Sequence, residues 1–266
     1  MIKPQRAILL RCRSVVIASA LALCANTAAF AQENLPNAPE PQPDVTIRNV
    51  PRFILHDQKA IWTSPAHLKL KDMEWLVPLA AVTGVAIATD HSAMVHVVPI
   101  NADLNKKSID ASNVLMGGFI AAPVAFYGVG HFTKSPHAQE AGILTGEAMI
   151  DGVVVEQGMK LIFWRERPSQ NNGSGHFFKS DAGIDSSFPS SHSVEAWSAA
   201  AVLTGEYPAF WSQALIYGAA TAVSASRVIG QEHFPSDVIV GSAAGWLVGR
   251  YVFRKHHKVD FSKEDY

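Results

Sequence analysis

The sequence predicts an all-α fold, a bundle of six or seven helices with its active site at one end. Six long segments rich in Ala, Val and Gly show no period-2 alternation, which favours helix over strand. Pro and Gly clusters at Pro99, Pro136, Pro168, Pro189, Pro208 and Pro235 punctuate them. The residues able to carry chemistry gather where these segments begin and end.

At the N-terminus, Lys3, Arg6, Arg11 and Arg13 precede an apolar stretch from Ser14 to Ala25. A small-x-small site, Ala29-Phe30-Ala31, follows. Residues 1–31 read as a signal peptide, with an uncleaved anchor as the alternative. Residues 32–50 are rich in Pro, Asn and Gln and read as a flexible leader. The domain is expected over 51–253, with a short helix near 58–70. The six main segments lie at about 75–89, 111–130, 141–164, 191–205, 208–226 and 236–253. Residues 254–266 form a charged tail expected to fray.

The chain has 266 residues, enough for one domain with a substantial core. It is 48% apolar and only 17% charged. Both cysteines, Cys12 and Cys24, lie in the signal, so cleavage excludes disulfides, thiolate catalysis and Cys-ligated metals. Cleavage also removes four cations, leaving 18 Lys and Arg against 23 Asp and Glu, a balance that gives no sign of a nucleic-acid partner. Two uncharged runs, Ala111–Gly130 and Tyr207–Ser226, reach membrane-spanning length but are diluted by Gly, Ser, Asn, Gln or Pro. Glu147, Asp151, Glu156 and Lys160 are costly in lipid. Buried helices of a periplasmic or secreted domain are therefore expected, with a membrane-embedded domain as the alternative.

Three clusters carry the chemistry. In the first, Lys160 and Arg167 are seven residues apart, two helical turns, and would share a face before Pro168 stops the helix. Two cations at an apolar helix end suit an anion, although a surface pair with Glu156 bound to Lys160 explains them equally simply. The second, Ser187-Phe188-Pro189-Ser190-Ser191-His192, precedes an Ala-rich helix whose free N–H groups could cradle an anion. The plain alternative is N-capping by Ser190 or Ser191. In the third, from Ser226 and Arg227 to His233 and Asp237, Pro235 opens a helix and the carboxylate can reach the imidazole. In an up-and-down bundle all three clusters fall at the same end, and three cations around helix-end amides suit a tetrahedral oxyanion such as phosphate.

These clusters resemble the signature of the phosphatidic acid phosphatase type 2 / vanadium haloperoxidase superfamily. That signature reads Lys-x6-Arg-Pro, Pro-Ser-Gly-His and Ser-Arg-x5-His-x3-Asp. Ten positions match and one departs, Ser191, where the family usually has Gly. The resemblance implies a metal-independent phosphatase that hydrolyses phosphate monoesters or diphosphates of lipid, prenyl or small soluble kind through a phosphohistidine. It implies that His233 is the nucleophile, Asp237 orients it, and His192 protonates the leaving alcohol and then activates water. Lys160, Arg167, Ser190, the amide of Ser191 and Arg227 would hold the phosphoryl oxygens. No cofactor is implied, and vanadate would be an inhibitor. Alternatives are a vanadium-dependent haloperoxidase, where vanadate is the cofactor, and a non-catalytic membrane-associated binding protein. His91, His96, His131 and His137 fit no zinc spacing. The loop with His176, Phe177 and Phe178 is expected to border the site.

Overall fold

The structure, a computed structural model, describes residues 45–258. The expected signal peptide and most of the Pro-rich leader lie outside the described residues. Among the described residues there are seven α-helices and no strands: α1 Val50–Thr63, α2 Met73–Ser92, α3 Ala102–Thr133, α4 Pro136–Phe163, α5 Ser191–Glu206, α6 Phe210–Ile229 and α7 Pro235–His256.

Local sequence explains the boundaries. Asn101 caps α3 by accepting the Leu104 N–H, and Ser135 caps α4 by accepting the Ala138 N–H, with Pro136 in its first turn. α3 and α4 are joined by Lys134 in the left-handed conformation. α3 begins well before the apolar run expected at 111, because its first turns carry Asp103, Lys106, Lys107 and Asp110, which are good surface residues but apolar-poor. The expected frayed tail is shorter too. Arg254 to His256 continue α7, since Lys255 and His256 find the buried Asp57 of α1.

α5 is the centre of the bundle. Its Ala196, Ala199, Ala200 and Val202 are completely buried between α3, α4, α6 and α7. α7 approaches it through a stripe of small residues. A Cβ on Gly245 would sit 2.2 Å from the Val194 carbonyl oxygen, and one on Gly249 equally close to that of Ser198. Further along the same stripe, a Cβ on Gly241 would sit 2.9 Å from the Ser190 carbonyl oxygen. Backbone therefore packs directly on backbone.

The expectation of buried helices fails for α2 and part of α3. The apolar segments Leu70–Val97 and Ala102–Thr133 are each long enough to cross a bilayer, yet their most apolar windows are only 11% and 28% buried. Val77, Val82 and Val85 of α2 and Ile120 and Val124 of α3 are more than half exposed. Sequence hydropathy cannot tell a core-facing stripe from an outward one. Here α4, α5 and α7, with one face each of α3 and α6, supply the core, and no residue of α2 belongs to these core clusters.

Candidate active site

The ends of α4 and α6 meet the starts of α5 and α7, and all three clusters converge there. Lys160, in the last turn of α4, donates to Ser191 Oγ at 2.8 Å and lies 3.5 Å from Glu156. Arg167 does not share a helix face with Lys160, contrary to the spacing argument. α4 stops at Phe163, and Trp164 turns the chain through a left-handed conformation (φ 38°), so Arg167 reaches the site from a loop. There it bonds the Asp185 carbonyl at 2.9 Å and Glu232 at 3.0 Å. Arg227, buried in the last turn of α6, contacts the same Glu232 oxygen at 3.3 Å and Ser112 Oγ at 3.2 Å. Glu232 thus lies between two guanidinium groups, where an anionic substrate would compete with it.

Buried donors at this end, among them Arg227 Nε and Ser190 Oγ, have nothing to bond. Arg227 Nε has no acceptor. Ser190 sits at the N-cap of α5, where capping was the simple reading, yet its completely buried Oγ makes no cap bond and no other hydrogen bond. The α5 terminus is left without a side-chain cap, unlike those of α3 and α4. Its first-turn N–H groups and helix dipole are available to an anion.

His233 precedes α7 and is 2% exposed. Its Nδ1 lies 2.9 Å from the Ser187 carbonyl oxygen, so Nδ1–H donates there and Nε2 carries the lone pair. Asp237 Oδ2 is farther from Nδ1, at 3.6 Å. Burial, opposed by Asp237 and aided by Arg167 and Arg227, holds the His233 imidazole below its ordinary pKa. His192, in the first turn of α5, faces Asn113 Oδ1 through Nε2 at 3.1 Å. Burial first, then Arg227, His233, Lys160 and Arg167, push it down to about 4. Two neutral imidazoles beside a ring of cations can offer one nucleophile and one proton carrier.

Residues 141–260 match the sequence model of the PAP2 superfamily. That match falls on the same segment as the three motifs and agrees with the family resemblance they carry. A solved structure resembles this chain: the first transmembrane PAP2 type phosphatidylglycerolphosphate phosphatase from Bacillus subtilis. The two are 21% identical with a TM-score of 0.44, over 79% of this chain and 96% of the other. No curated protein matches the chain.

This site contains a layer that the sequence motifs did not announce. Asp237 accepts from Arg165 Nη1 at 2.6 Å, Ser187 Oγ at 2.5 Å and the Phe234 N–H at 2.9 Å. Arg165, which lies between the motif positions Lys160 and Arg167, is 1% exposed. It also bonds Asp90 of α2 at 2.7 Å, Ser236 Oγ and the Gly175 carbonyl, and stacks on Phe177 and Phe234. Gly175 has φ +62°, and a Cβ there would fall 2.5 Å from the Phe234 ring, so this turn requires glycine. Asp90 further accepts from the Ser236 N–H. The only available hint was a charge near the end of an otherwise apolar segment. Asn113, Ser187 and Glu232 were likewise unannounced as partners of the site. His176 binds Glu166, and Phe177 packs on Phe163 and Phe188, so the loop borders the site as expected.

The departure from the family pattern has a visible consequence. The Ser191 hydroxyl accepts from Lys160 and donates to Glu156 at 3.2 Å, so the residue that departs from the motif ties down Lys160, one of the cations expected to hold phosphate.

Proposed function

We propose that this chain is a PAP2-type phosphatase that acts on a phosphate ester or diphosphate borne by an apolar group, at a membrane surface. One observation carries the reading: buried donors without acceptors, Ser190 Oγ and Arg227 Nε, beside an uncapped helix N-terminus. A phosphoryl group would satisfy all of them and displace Glu232 from Arg167 and Arg227.

His233 Nε2 attacks phosphorus and the P–O bond to the leaving group breaks. The leaving oxygen takes a proton from His192. The phosphoryl dianion supports that proton, because its charge opposes the four cationic or basic neighbours that depress His192 in the free protein. In the second step His192 takes a proton from water, the oxygen attacks phosphorus, and the P–N bond breaks to give inorganic phosphate and neutral His233. Lys160, Arg167, Arg227 and the α5 amides carry the charge that spreads over the equatorial oxygens. Asp237, fixed by Arg165, keeps Ser187 and the Phe234 backbone in place around His233 and stabilises the positive charge of the phosphohistidine.

The exposed apolar surfaces of α2 and α3 support contact with lipid and hence an amphiphilic substrate. Release of the mature chain into the periplasm, the leading expectation from sequence, accommodates these surfaces less well than a bilayer does.

The test is phosphate release from lipid, prenyl and small soluble phosphates, with and without detergent, together with acid-labile phosphohistidine trapped by rapid quenching. Turnover of an amphiphilic phosphate, lost in folded His233→Ala, is expected. Wild-type-like release from His233→Ala would refute the mechanism. Equal kcat/KM for lipid and soluble esters would refute the substrate class.

A further inference from the structure

Away from the candidate site, about 14–20 Å from Lys160 along α4, three buried carboxylates meet. Asp57 of α1 and Asp151 of α4 are completely buried, and Glu147 of α4 is 1% exposed. Asp57 Oδ1 accepts from Lys255 at 2.6 Å. His256 Nε2 lies 2.7 Å from Asp57 Oδ2 and 3.3 Å from Glu147 Oε1. A single ring N–H can serve only one of these oxygens and serves the nearer. Neither Glu147 oxygen then has a hydrogen-bond donor, and neither does Asp151 Oδ2, although Gln58 binds Asp151 Oδ1 at 2.8 Å.

The charges do not balance. Three carboxylates face one ammonium and one imidazole in a place where an unpaired ion costs several kcal/mol. The neighbouring cluster shows what balance looks like. Glu206 is bonded by His137 at 2.9 Å and His257 at 3.0 Å, and His257 also reaches Glu140 at 3.2 Å. His257 thus reaches both Glu140 and Glu206, and His137 reaches the second oxygen of Glu206, so each of these carboxylates has a ring partner. The Asp57 cluster has no second histidine.

We propose that Asp57, Glu147 and His256 bind one divalent transition-metal ion, Zn²⁺ or Mn²⁺, which fastens α1 and the end of α7 to α4. One atom from each residue lies within 4.8 Å of the others. Ligands bonded at about 2.0–2.2 Å around one ion have neighbouring atoms about 3–3.5 Å apart; the His256 nitrogen lies 2.7 Å and 3.3 Å from the two carboxylates. One nitrogen with carboxylate oxygens suits these borderline ions better than Ca²⁺ or Mg²⁺, which prefer all-oxygen shells. Asp151, one turn from Glu147, can take an outer position toward a metal-bound water. The ion is structural and separate from phosphate hydrolysis.

The experiment uses the full chain in detergent with any affinity tag removed, stripped with EDTA and titrated separately with Zn²⁺ and Mn²⁺. Expected are about one bound ion per chain by elemental analysis and a Tm rise of roughly 5–10 °C at a hundredfold excess over Kd. At a temperature well below both Tm values, kcat should differ less than twofold between stripped and loaded protein. Glu147→Gln, which removes a buried charge and is expected to fold, should lose both the ion and the metal-dependent shift. No bound ion in the wild type, or stoichiometric binding retained in Glu147→Gln, would overturn the proposal. So would a metal-independent wild-type Tm, with Glu147→Gln more stable than wild type. That result would mean that Asp57 and Glu147 share a proton instead.

Discussion

Asp90→Ala tests whether α2 takes part in the site. The substitution removes the carboxylate that meets Arg165 Nη2 at 2.7 Å and the Ser236 N–H at 3.1 Å. Arg165 is 1% exposed and keeps only Asp237 as an anionic partner. Removing one member of a buried ion pair costs about 3–5 kcal/mol, because the survivor stays buried with its charge. For a chain of this size that corresponds to a Tm fall of roughly 6–20 °C. Arg165 also fixes Asp237, so the variant should lose kcat by about tenfold or more, with KM changed by less than threefold. The phosphate-binding cations are untouched. Thermal unfolding in detergent and steady-state phosphate release below the variant's Tm measure both effects. Asp90→Asn, which retains an acceptor for Ser236, should fall between wild type and Asp90→Ala in both. A folded Asp90→Ala protein with Tm within 2 °C of wild type and unchanged kcat would refute the role given to this network.

Ser191→Gly removes one acceptor from Lys160, a charge-assisted bond worth about 1.5–3 kcal/mol. KM for the phosphate substrate should fall about fivefold to tenfold; an unchanged KM with altered kcat would contradict this. Vanadate, which readily becomes five-coordinate, should inhibit competitively, and Arg227→Gln should weaken it at least tenfold while slowing turnover. Non-competitive inhibition, or vanadate binding unaffected by Arg227→Gln, would count against the cradle. His192 titrates at about 4 in the folded protein against 6.5 unfolded, so between these values the unfolded chain binds more protons. The stability contributed by neutral His192 is complete above pH 6.5 and is lost as pH falls toward 4. Tm against pH should therefore decline less steeply over this window in His192→Gln than in wild type, and parallel curves would show that the shift is absent.

Much of the site was legible because its chemistry sits at helix ends, and helix ends are written in short local codes. Pro235, the serines before α5 and the turn at Gly230 mark such ends. The apolar runs between them fix which ends share a side of the bundle. What stayed hidden was non-local or depended on backbone geometry. Arg165 lies between two motif positions, and nothing near it in sequence predicts a partner 75 residues earlier, Asp90, or 72 later, Asp237. The left-handed turn at Trp164 moved Arg167 off the helix face its spacing suggested, because a non-glycine residue at positive φ carries no composition signal. The orientation of α2 was equally invisible. An apolar helix reads the same whether it faces protein or lipid.

The small-residue stripe of α7 determines how the site can move. Gly241, Gly245 and Gly249 rest on the α5 backbone at Ser190, Val194 and Ser198, so no side chains lie between the helices to act as rollers. The anion-binding end of α5 and the His233–Asp237 end of α7 are two ends of one interlocked pair. They keep their separation as the blades of a fixed gauge do, and a phosphoryl group bound as proposed would be measured against a gap that substrate binding does not have to set. Room for a bulky leaving group must come from parts without such an interlock, chiefly the loop from Trp164 to Pro189 and the lightly packed α2. Gly241→Ala, far smaller than any active-site substitution, would spread the gauge at Ser190 itself.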